Sequence, residues 1–301
     1  MQNRIIRIGS RRSRLALAQT EEVVKRLANK NPRIRFEVVG ITTKGDIQGS
    51  VGRRGKDAFV KAIEEKLIEG EIDIAVHSMK DMPLQLPKEL IIAAVPERED
   101  PRDALVSRKG LPLKGLPSGA KIGTSSLRRT VQLRNIRPDL NIVEIRGNVE
   151  TRLEKINRLG LDGVILAYAG LKRIGMTEIV TEVFDTNTVL PAAGQGALAV
   201  EARHDDLEII ELVRAIDHEA SRVSVNAERR FLLEVGGGCN LPAAAYARVV
   251  DGEIVIDGFL VHDGLGDKVV RGRESGPLDK AEEVAAKLAE RLKKGLEDHA
   301  G

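Results

Sequence analysis

The feature that most constrains the fold is a short apolar run that stops abruptly at a group of polar side chains. Residues 72–76 are rich in β-branched side chains, which is typical of a strand buried on both faces of a parallel sheet. Residues 77–81 are mostly polar, and Pro83 prevents further strand pairing. Ligands of open α/β sheets bind beyond the carboxyl ends of the strands. We therefore expect an α/β fold with Asp81 at a ligand crevice, the alternative being a solvated turn.

The rest of the chain repeats this alternation of strands and helices, which predicts two lobes with mainly parallel sheets. Strands are expected at residues 5–9, 36–41, 72–76 and 90–95, and again at residues 121–123, 141–145, 163–167 and 197–202. Helices are expected between them, the first capped by Ser13 and a later one ended by Gly70. Residues 42–57 hold four glycines and no apolar period, and they are predicted to be a surface loop.

Two segments are predicted to carry the chain from one lobe to the other. Residues 96–101 form a polar stretch between prolines, and residues 191–196 precede a predicted strand. Residues 194–199 match the dinucleotide pattern G-x-G-x-x-A, but that pattern requires a following helix, so a turn or hinge is favoured. Two crossings between the same lobes form a double hinge. The expected lobes are residues 1–96 with 197–215, and residues 102–190.

The last part of the chain, residues 217–301, has a different character. A long helix is expected to about residue 234, and a last amphipathic helix is expected from residue 278 to about residue 292. Between them, Asp251 and Gly252 stand between two alternating apolar runs, which indicates a β-hairpin. This pattern predicts a small α+β third domain.

Composition sets limits on the class of protein. With 42% hydrophobic and 31% charged residues, the chain is expected to be soluble and globular. No apolar run reaches 18 residues, and the N-terminal stretch lacks the apolar core of a signal peptide, so we expect a cytoplasmic protein with no membrane partner. A single cysteine excludes an intrachain disulfide framework, and the five histidines lack the spacing of a zinc site.

The distribution of charge indicates a small anionic ligand rather than a nucleic acid. The net charge is only +3, and the aromatic residues are two Tyr, five Phe and no Trp, which leaves little for base stacking. Residues 123–129 combine three hydroxyl side chains and two arginines after a predicted strand, and Arg146, Gly147 and Arg152 repeat the arrangement. Helix N-termini and guanidinium groups bind anions. The alternative is ordinary capping by Ser125 or Ser126 with exposed arginines.

The only cysteine, Cys239, has an unusual sequence context. Three glycines precede it and Asn-Leu-Pro follows it, which predicts a loop between a helix and a strand. A lone cysteine is usually an inert core residue. A thiol on a loop can instead serve as a nucleophile or as an attachment point.

Together these motifs, in this order, resemble the porphobilinogen deaminase family. The resemblance rests on Arg11-x-Ser13, Thr43-x-Gly45-Asp46, residues 77–81, residues 97–103, residues 123–129, Arg146-Gly147-Asn148, residues 190–196 and Gly238-Cys239. It implies a three-domain enzyme whose first two lobes are like those of periplasmic binding proteins and are joined by a double hinge. It also implies a monomer.

The resemblance further implies a chemistry. A dipyrromethane cofactor would be attached to Cys239 through a thioether, and porphobilinogen units would be added to it with loss of ammonia. Water would then release the linear tetrapyrrole hydroxymethylbilane, a step of porphyrin and haem biosynthesis. Porphobilinogen carries acetate and propionate groups, so its site needs fixed guanidinium groups.

Residue by residue, the resemblance implies three sets of site residues. The catalytic carboxylate is Asp81. The positions that match cofactor-binding residues are Cys239, Lys80, Ser78, Thr124, Ser126, Arg128, Arg129, Arg146 and Gly147. The positions that match substrate-binding residues are Arg11, Ser13, Lys56, Arg152, Arg173 and Gln195.

Two other functions compete with this interpretation. One is an anion-binding protein with a two-lobed fold, which would have no need of Cys239. The other is an acyl- or alkyl-transferase that uses Cys239 as a transient nucleophile. Neither protein would retain a covalently bound pyrrole, so the intact mass separates the first interpretation from both alternatives.

Overall fold

The computed structural model describes residues 4–42, 54–236, 242–261 and 269–298, with only the backbone described for residues 54–59 and 298. The chain forms two compact units: unit 1 is Met1–Glu99 with Ala197–Arg222, and unit 2 is Asp100–Gly196 with Val223–Gly301. The chain leaves unit 1 inside the predicted hinge 96–101 and returns to it just after the predicted hinge 191–196. Unit 2 groups residues 223–301 with the second lobe, and the division into three domains stays a prediction.

Strands and helices alternate along much of the chain. The strands are β1 (Ile5–Arg11), β2 (Arg35–Ile41), β3 (Ile74–Ser78), β4 (Leu90–Ala94), β5 (Asp103–Ser107), β6 (Lys121–Gly123), β7 (Asn141–Val143), β8 (Gly163–Ala167), β9 (Glu182–Val183), β10 (Leu198–Arg203), β11 (Ala243–Val250), β12 (Glu253–Val261) and β13 (Val269–Pro277). The helices are α1 (Arg14–Lys30), α2 (Arg54–Ile68), α3 (Leu127–Ile136), α4 (Val149–Arg158), α5 (Tyr168–Arg173), α6 (Leu207–Arg214), α7 (Glu219–Glu234) and α8 (Ala281–Asp298).

Unit 1 is built on a five-stranded sheet in the order β2-β1-β3-β10-β4. β1 is parallel to β2 and β3, whereas β10 is antiparallel to β3 and β4. The strand expected at residues 72–76 is displaced to Ile74–Ser78, because His77 and Ser78 still pair with Ala199 and Leu198 of β10. The apolar faces of α1 and α6 pack on this sheet in one core cluster.

The helices of unit 1 begin and end where local signals place them, with one correction. Ser13 caps α1, its hydroxyl accepting a hydrogen bond from the N–H of Ala16 at 3.3 Å, as predicted. Gly70 follows α2 with a φ of 73°, which suits a glycine after a helix. The loop predicted over residues 42–57 is wrong for residues 54–57, which open α2, and residues 43–53 lie outside the described residues. Residues 54–57 are Arg, Gly, Lys and Asp, so the first turn of α2 carries no apolar signal.

Unit 2 has a sheet with the same pattern of strand directions, in the order β7-β6-β8-β5-β9. β6 is parallel to β7 and β8, and β5 is antiparallel to β8 and β9. β5 is buried along its whole length but was not predicted, because no helix follows it to complete the strand-helix pattern. Each sheet therefore has one antiparallel strand, which lies just after a predicted hinge. The other four strands of each sheet point in the same direction, so both sheets are mainly parallel.

Unit 2 also contains an antiparallel sheet in the order β11-β12-β13. The predicted hairpin is confirmed: Asp251 and Gly252 join β11 to β12 with φ values of 50° and 81°, as a two-residue turn of this kind requires. β13 and α6 were not predicted. The sheet packs on α7 and α8 through residues such as Phe231 and Leu288, and through Phe259 and Val261 it contacts Val131 of α3.

Candidate active site

Asp81 lies in a single 3-10 turn, Met79–Asp81, directly after β3. Met79 is only 2% exposed, and its N–H donates to the carbonyl of Ala197 at 3.0 Å. The N–H of Met82 closes the turn on the carbonyl of Met79 at 3.1 Å. Asp81 and Lys80 themselves are half-buried. A buried anchor therefore fixes the backbone of a segment whose carboxylate and ammonium groups remain partly accessible to solvent.

Other predicted residues stand at the same edge of the unit 1 sheet, because β1 and β3 are parallel neighbours whose carboxyl ends share an edge. Arg11 is the last residue of β1 and is half-buried. Ser13, two residues later, caps α1. Ser78 ends β3, and its hydroxyl accepts a hydrogen bond from Nε2 of Gln19 at 2.7 Å. The structure thus brings Arg11, Ser13, Ser78, Lys80 and Asp81 to one edge of unit 1.

Two predicted residues cannot be placed in this way. Cys239 lies outside the described residues. Lys56 lies in the first turns of α2, and its side chain is outside the described part of the chain.

Arg128 and Arg129, which were predicted to bind ligand carboxylates, are buried in unit 2 against Asp103. Their exposed fractions are 7% and 5%, and that of Asp103 is 0%. Oδ1 of Asp103 accepts hydrogen bonds from Nε of Arg129 at 3.1 Å and from Nη2 at 2.6 Å. Oδ2 lies 2.7 Å from Nη1 of Arg128. Two buried cations share one buried anion, so these three residues carry one net positive charge.

Further hydrogen bonds connect this cluster to the backbone of unit 2. Arg129 donates from Nη1 to the carbonyl of Ile165 in β8 at 2.9 Å, and Arg128 donates from Nη1 to the carbonyl of Leu190 at 2.6 Å. Gln195, 1% exposed, donates from Nε2 to Oδ1 of Asp103 at 2.8 Å. The cluster therefore joins β5, β8, α3 and the segment of residues 190–195.

Burial and charge act in opposite directions on the Asp103 carboxyl. Burial alone would raise its pKa, but the guanidinium groups of Arg128 and Arg129 hold that pKa well below the usual range. Burial lowers the pKa of Arg128, and the second guanidinium acts in the same direction. Arginine nevertheless stays charged in proteins. Asp103 is thus ionised throughout the physiological pH range, and it stabilises its two cationic neighbours.

The hydroxyl groups before α3 have local roles that fit the capping alternative. Ser126 caps α3, accepting from the N–H of Arg129 at 3.4 Å. Thr124 is 2% exposed, and its Oγ1 accepts from the N–H of Ser126 at 3.2 Å. The capping half of that alternative is confirmed. Its other half is wrong, because Arg128 and Arg129 are buried rather than exposed.

The remaining predicted residues follow β7 and β8, which are both parallel to β6. Arg146 is exposed and bonds to Oε1 of Glu144 at 2.6 Å. Gly147 has a φ of 119°, and an added Cβ would lie 2.8 Å from Cβ of Thr151, so only glycine fits there. Arg152 donates to the carbonyl of Gly147 at 2.8 Å. Arg173, at the end of α5, donates to the carbonyl of Gly196 at 3.0 Å.

Asp103 is the residue that sequence reasoning did not assign to the site. It belongs to the motif of residues 97–103, but the motif alone gives it no role. The available signal was an aspartate at the start of the otherwise apolar run of β5, where a buried charge requires a partner. Among the described residues, no cluster of His, Cys, Asp and Glu side chains could hold a metal ion, and no helix is long and apolar enough to cross a membrane.

Comparison with family models defines the class of protein. Residues 6–211 match the model described as "Porphobilinogen deaminase, dipyromethane cofactor binding domain". Residues 222–294 match the model "Porphobilinogen deaminase, C-terminal domain". The class is therefore that of α/β proteins with a domain that binds a dipyrromethane cofactor.

Similar curated proteins give the same result over nearly the whole chain. The porphobilinogen deaminase of Desulforudis audaxviator is 47% identical over 288 residues, covering 95% of this chain and 93% of the relative. That of Bacillus pumilus is 48% identical over 280 residues, covering 91% and 89%. That of Syntrophus aciditrophicus is 45% identical over 294 residues, covering 96% and 95%. The chain belongs to the porphobilinogen deaminase family.

Solved structures with a related shape include two solute-binding proteins. A nutrient-binding protein from Burkholderia cenocepacia bound to methionine has a TM-score of 0.44 at 15% identity, over 70% of this chain and 91% of that one. A TRAP periplasmic solute binding protein from Desulfovibrio salexigens has a TM-score of 0.44 at 12% identity, over 71% and 72%. These scores are too low to decide the fold, which rests on the order and direction of the strands in the two five-stranded sheets.

Proposed function

We propose that this chain is a hydroxymethylbilane synthase, which joins porphobilinogen units head to tail with loss of ammonia. The growing chain is held on a dipyrromethane primer attached to Cys239, and water releases the linear tetrapyrrole. Membership of the porphobilinogen deaminase family supports this proposal. The single observation that carries it is the buried excess of positive charge in unit 2, where Arg128 and Arg129 face only one protein carboxylate.

This donor set fits the chemistry of the cofactor. A dipyrromethane made from porphobilinogen has acetate and propionate groups on both rings, so a site that holds it needs several fixed cations. In unit 2 we assign this role to Arg128, Arg129 and Arg146 with Thr124, Ser126 and Gly147, and in unit 1 to Ser78 and Lys80. When bound, the cofactor supplies the pyrrole carbon at which a new carbon-carbon bond is made.

Substrate carboxylates require further cations near the strand ends. We assign them to Arg11, Ser13, Lys56, Arg152, Arg173 and Gln195. Arg11 and Ser13 stand at the sheet edge that carries Asp81, whereas Arg152 and Arg173 follow β7 and β8. A charge-assisted hydrogen bond contributes about 1.5–3 kcal/mol, so a few such contacts orient a small acidic substrate.

Asp81 is assigned the chemical role. When the carbon-nitrogen bond of porphobilinogen breaks, the electron pair leaves with ammonia and positive charge develops on the pyrrole. A carboxylate fixed by the turn Met79–Asp81 stabilises that charge, and it stabilises it more strongly in a site from which water is partly excluded. The same carboxylate can take part in moving the proton that the coupled pyrrole loses.

The proposal includes a monomer in the cytoplasm whose partner is porphobilinogen. A near-neutral charge balance and few aromatic side chains support the absence of a nucleic-acid partner.

The test is turnover of porphobilinogen by the purified protein. The expected result is release of one ammonia for each ring incorporated, together with a linear tetrapyrrole that can be trapped before it cyclises. Cys239→Ser is the matched control, and it should form neither product. Binding of porphobilinogen without ammonia release would instead support the anion-binding alternative and reject the enzyme.

A further inference from the structure

Asp103 occupies a position that the proposed function leaves unassigned. It is the first residue of β5, the antiparallel strand of the unit 2 sheet, and it pairs with Ala167 of β8. Its carboxylate is fully buried and faces two guanidinium groups and the amide of Gln195. All four side chains are more than nine-tenths buried. Such a group of charges is stable only if each member has its partners in place.

The two arginines use this support differently. Arg129 donates to protein acceptors from Nε, Nη1 and Nη2. Arg128 contacts both Leu190 and Asp103 through Nη1 alone. Within the described part of the chain, Nε and Nη2 of Arg128 have no hydrogen-bond partner. The carboxylate of Asp103 therefore holds one side of the Arg128 guanidinium and leaves the other side for an added anion.

Without Asp103 the arrangement would not persist. Arg128 and Arg129 are adjacent, and their buried positive charges repel one another in a medium of low dielectric constant. Asp103 contacts both guanidinium groups at 2.6–2.7 Å, so it is the group that allows two cations to occupy one site. It also reduces the local charge to a single excess positive charge, which suits one ligand carboxylate.

We propose that Asp103 is a positioning residue of the cofactor site, which acts through Arg128 and Arg129 by fixing their spacing and orientation. The inference rests on the proposed function, since it concerns the same ligand carboxylates. It adds a requirement for an acidic residue in a site whose ligand is itself acidic. The expected effect of losing Asp103 is failure to load the cofactor, and this effect should be separable from the loss of stability.

The experiment compares four variants with the wild-type protein made in a porphyrin-producing host. Asp103→Asn keeps the shape of the side chain and removes its charge. Asp103→Asn combined with Arg129→Gln removes one charge of each sign, which restores the single excess positive charge. Asp103→Glu keeps the charge. Glu182→Gln is the matched control, because Glu182 is a carboxylate of the same sheet that accepts from the N–H of Leu113 at 2.7 Å.

Two readouts are taken on each protein: the fraction that carries the dipyrrole mass, and the denaturant midpoint of unfolding. We expect Asp103→Asn to load less than about a tenth of the wild-type fraction, and Asp103→Glu to load more than Asp103→Asn. The double variant should recover the midpoint relative to Asp103→Asn but not the loading. Glu182→Gln should lower the midpoint and load normally.

Two results would overturn the role of Asp103. One is wild-type loading of folded Asp103→Asn. The other is a loading that follows the unfolding midpoint across Asp103→Asn, Asp103→Glu and Glu182→Gln, since a merely structural residue gives that result. If Asp103→Asn does not fold, Asp103→Glu, which keeps both arginines, decides the question. A wild-type protein without any covalent pyrrole would instead reject the proposed function itself.

Discussion

Each five-stranded sheet carries a buried carboxylate on its antiparallel strand, which is the fourth strand in both orders. The side chains around the two carboxylates have opposite charge. In unit 2 Asp103 of β5 faces Arg128 and Arg129. In unit 1 the equivalent strand, β10, carries Glu201, which is 0% exposed and lies 3.1 Å from Nε2 of His77. A second buried carboxylate, Glu64, contributes to the same environment. The antiparallel strand thus positions a carboxyl group in both units, and the charges of the neighbouring side chains determine how the carboxyl groups of each cluster ionise.

The two clusters have opposite consequences for ionisation. The pKa of Asp103 is held well below its usual range by two cations, in spite of burial. The pKa of Glu64 is raised to about 7, first by burial and then by the negative charge of Glu201. His77 and Lys61 act in the opposite direction, and Glu65 adds a small further increase. Oε1 of Glu64 and Oε1 of Glu201 have no hydrogen-bond partner among the described residues. The unit 2 cluster is therefore suited to binding an anion. The unit 1 cluster instead contains two carboxylates, Glu64 and Glu201, and one histidine, His77, which belongs to the strand that leads to Asp81.

The largest effect is expected at Asp81, since we assign the chemistry to unit 1 and the binding of the cofactor mainly to unit 2. Asp81→Asn keeps the shape and loses the charge, so the rate of turnover should fall by roughly 10²–10⁴-fold. Asp81→Glu keeps the charge and displaces it by about one methylene, so it should lose less. The measurement is porphobilinogen turnover by protein whose cofactor has been confirmed by mass. A rate for Asp81→Asn within about tenfold of wild type, less than about 1.4 kcal/mol of barrier, would remove Asp81 from the mechanism.

The next effect contrasts a buried arginine with an exposed one in unit 2. Arg128→Lys replaces a planar fork by a point charge inside the cluster, and it should lower the free energy of unfolding by about 1.5–3 kcal/mol. Arg146→Lys alters an exposed pair with Glu144 and should change that free energy by about 0.5 kcal/mol or less.

Both lysine variants should nevertheless impair cofactor loading or chain elongation, visible as incomplete masses, because lysine cannot bind a carboxylate through two parallel hydrogen bonds. Chemical denaturation and intact mass, measured on the same preparations, check the two expectations. Wild-type intact masses in both variants would mean that these arginines do not bind ligand.

The smallest effect is the pH dependence that Glu64 gives to unit 1. Its folded-state pKa of about 7 lies above the ordinary value of 4.5, so the folded state binds more protons between these pH values. Its contribution to stability is therefore greatest below pH 4.5 and falls as the pH rises to 7. Glu64→Gln removes this dependence, so between pH 5 and pH 8 it should gain up to about 2–3 kcal/mol relative to wild type. The same difference in unfolding free energy between Glu64→Gln and the wild type at both pH values would contradict the raised pKa.

Sequence patterns predicted the parts of the fold that depend on near neighbours. The Ser13 cap, the turn at Asp251 and Gly252, and most strands of both lobes follow from residues within a few positions of one another. β5 was missed because no helix separates it from β6, and β9, β13 and α6 were missed as well. β5 is stabilised by pairing with β8 and β9, which are distant in sequence. Such distant partners leave no periodic pattern in the residues of the strand itself.

The candidate site shows the same limit. Residues at strand ends could be named from the sequence, and the parallel pairing places Arg11 and Asp81 at one edge of unit 1. The partner of Arg128 and Arg129 could not be named, because Asp103 lies far from them in sequence and becomes their neighbour only through the pairing of β5 with β8. Lys56 and Cys239 keep the roles that the family resemblance implies, as predictions.

The central claim, a covalently bound pyrrole primer on Cys239, is tested most directly by the intact mass of the protein purified from a porphyrin-producing host. We predict a mass greater than that of the sequence by two pyrrole units, and a Cys239 thiol that does not react with an alkylating reagent. Cys239→Ser, the matched control, should have the mass of its sequence alone. A wild-type protein with the mass of its sequence and a freely alkylated Cys239 would contradict the account.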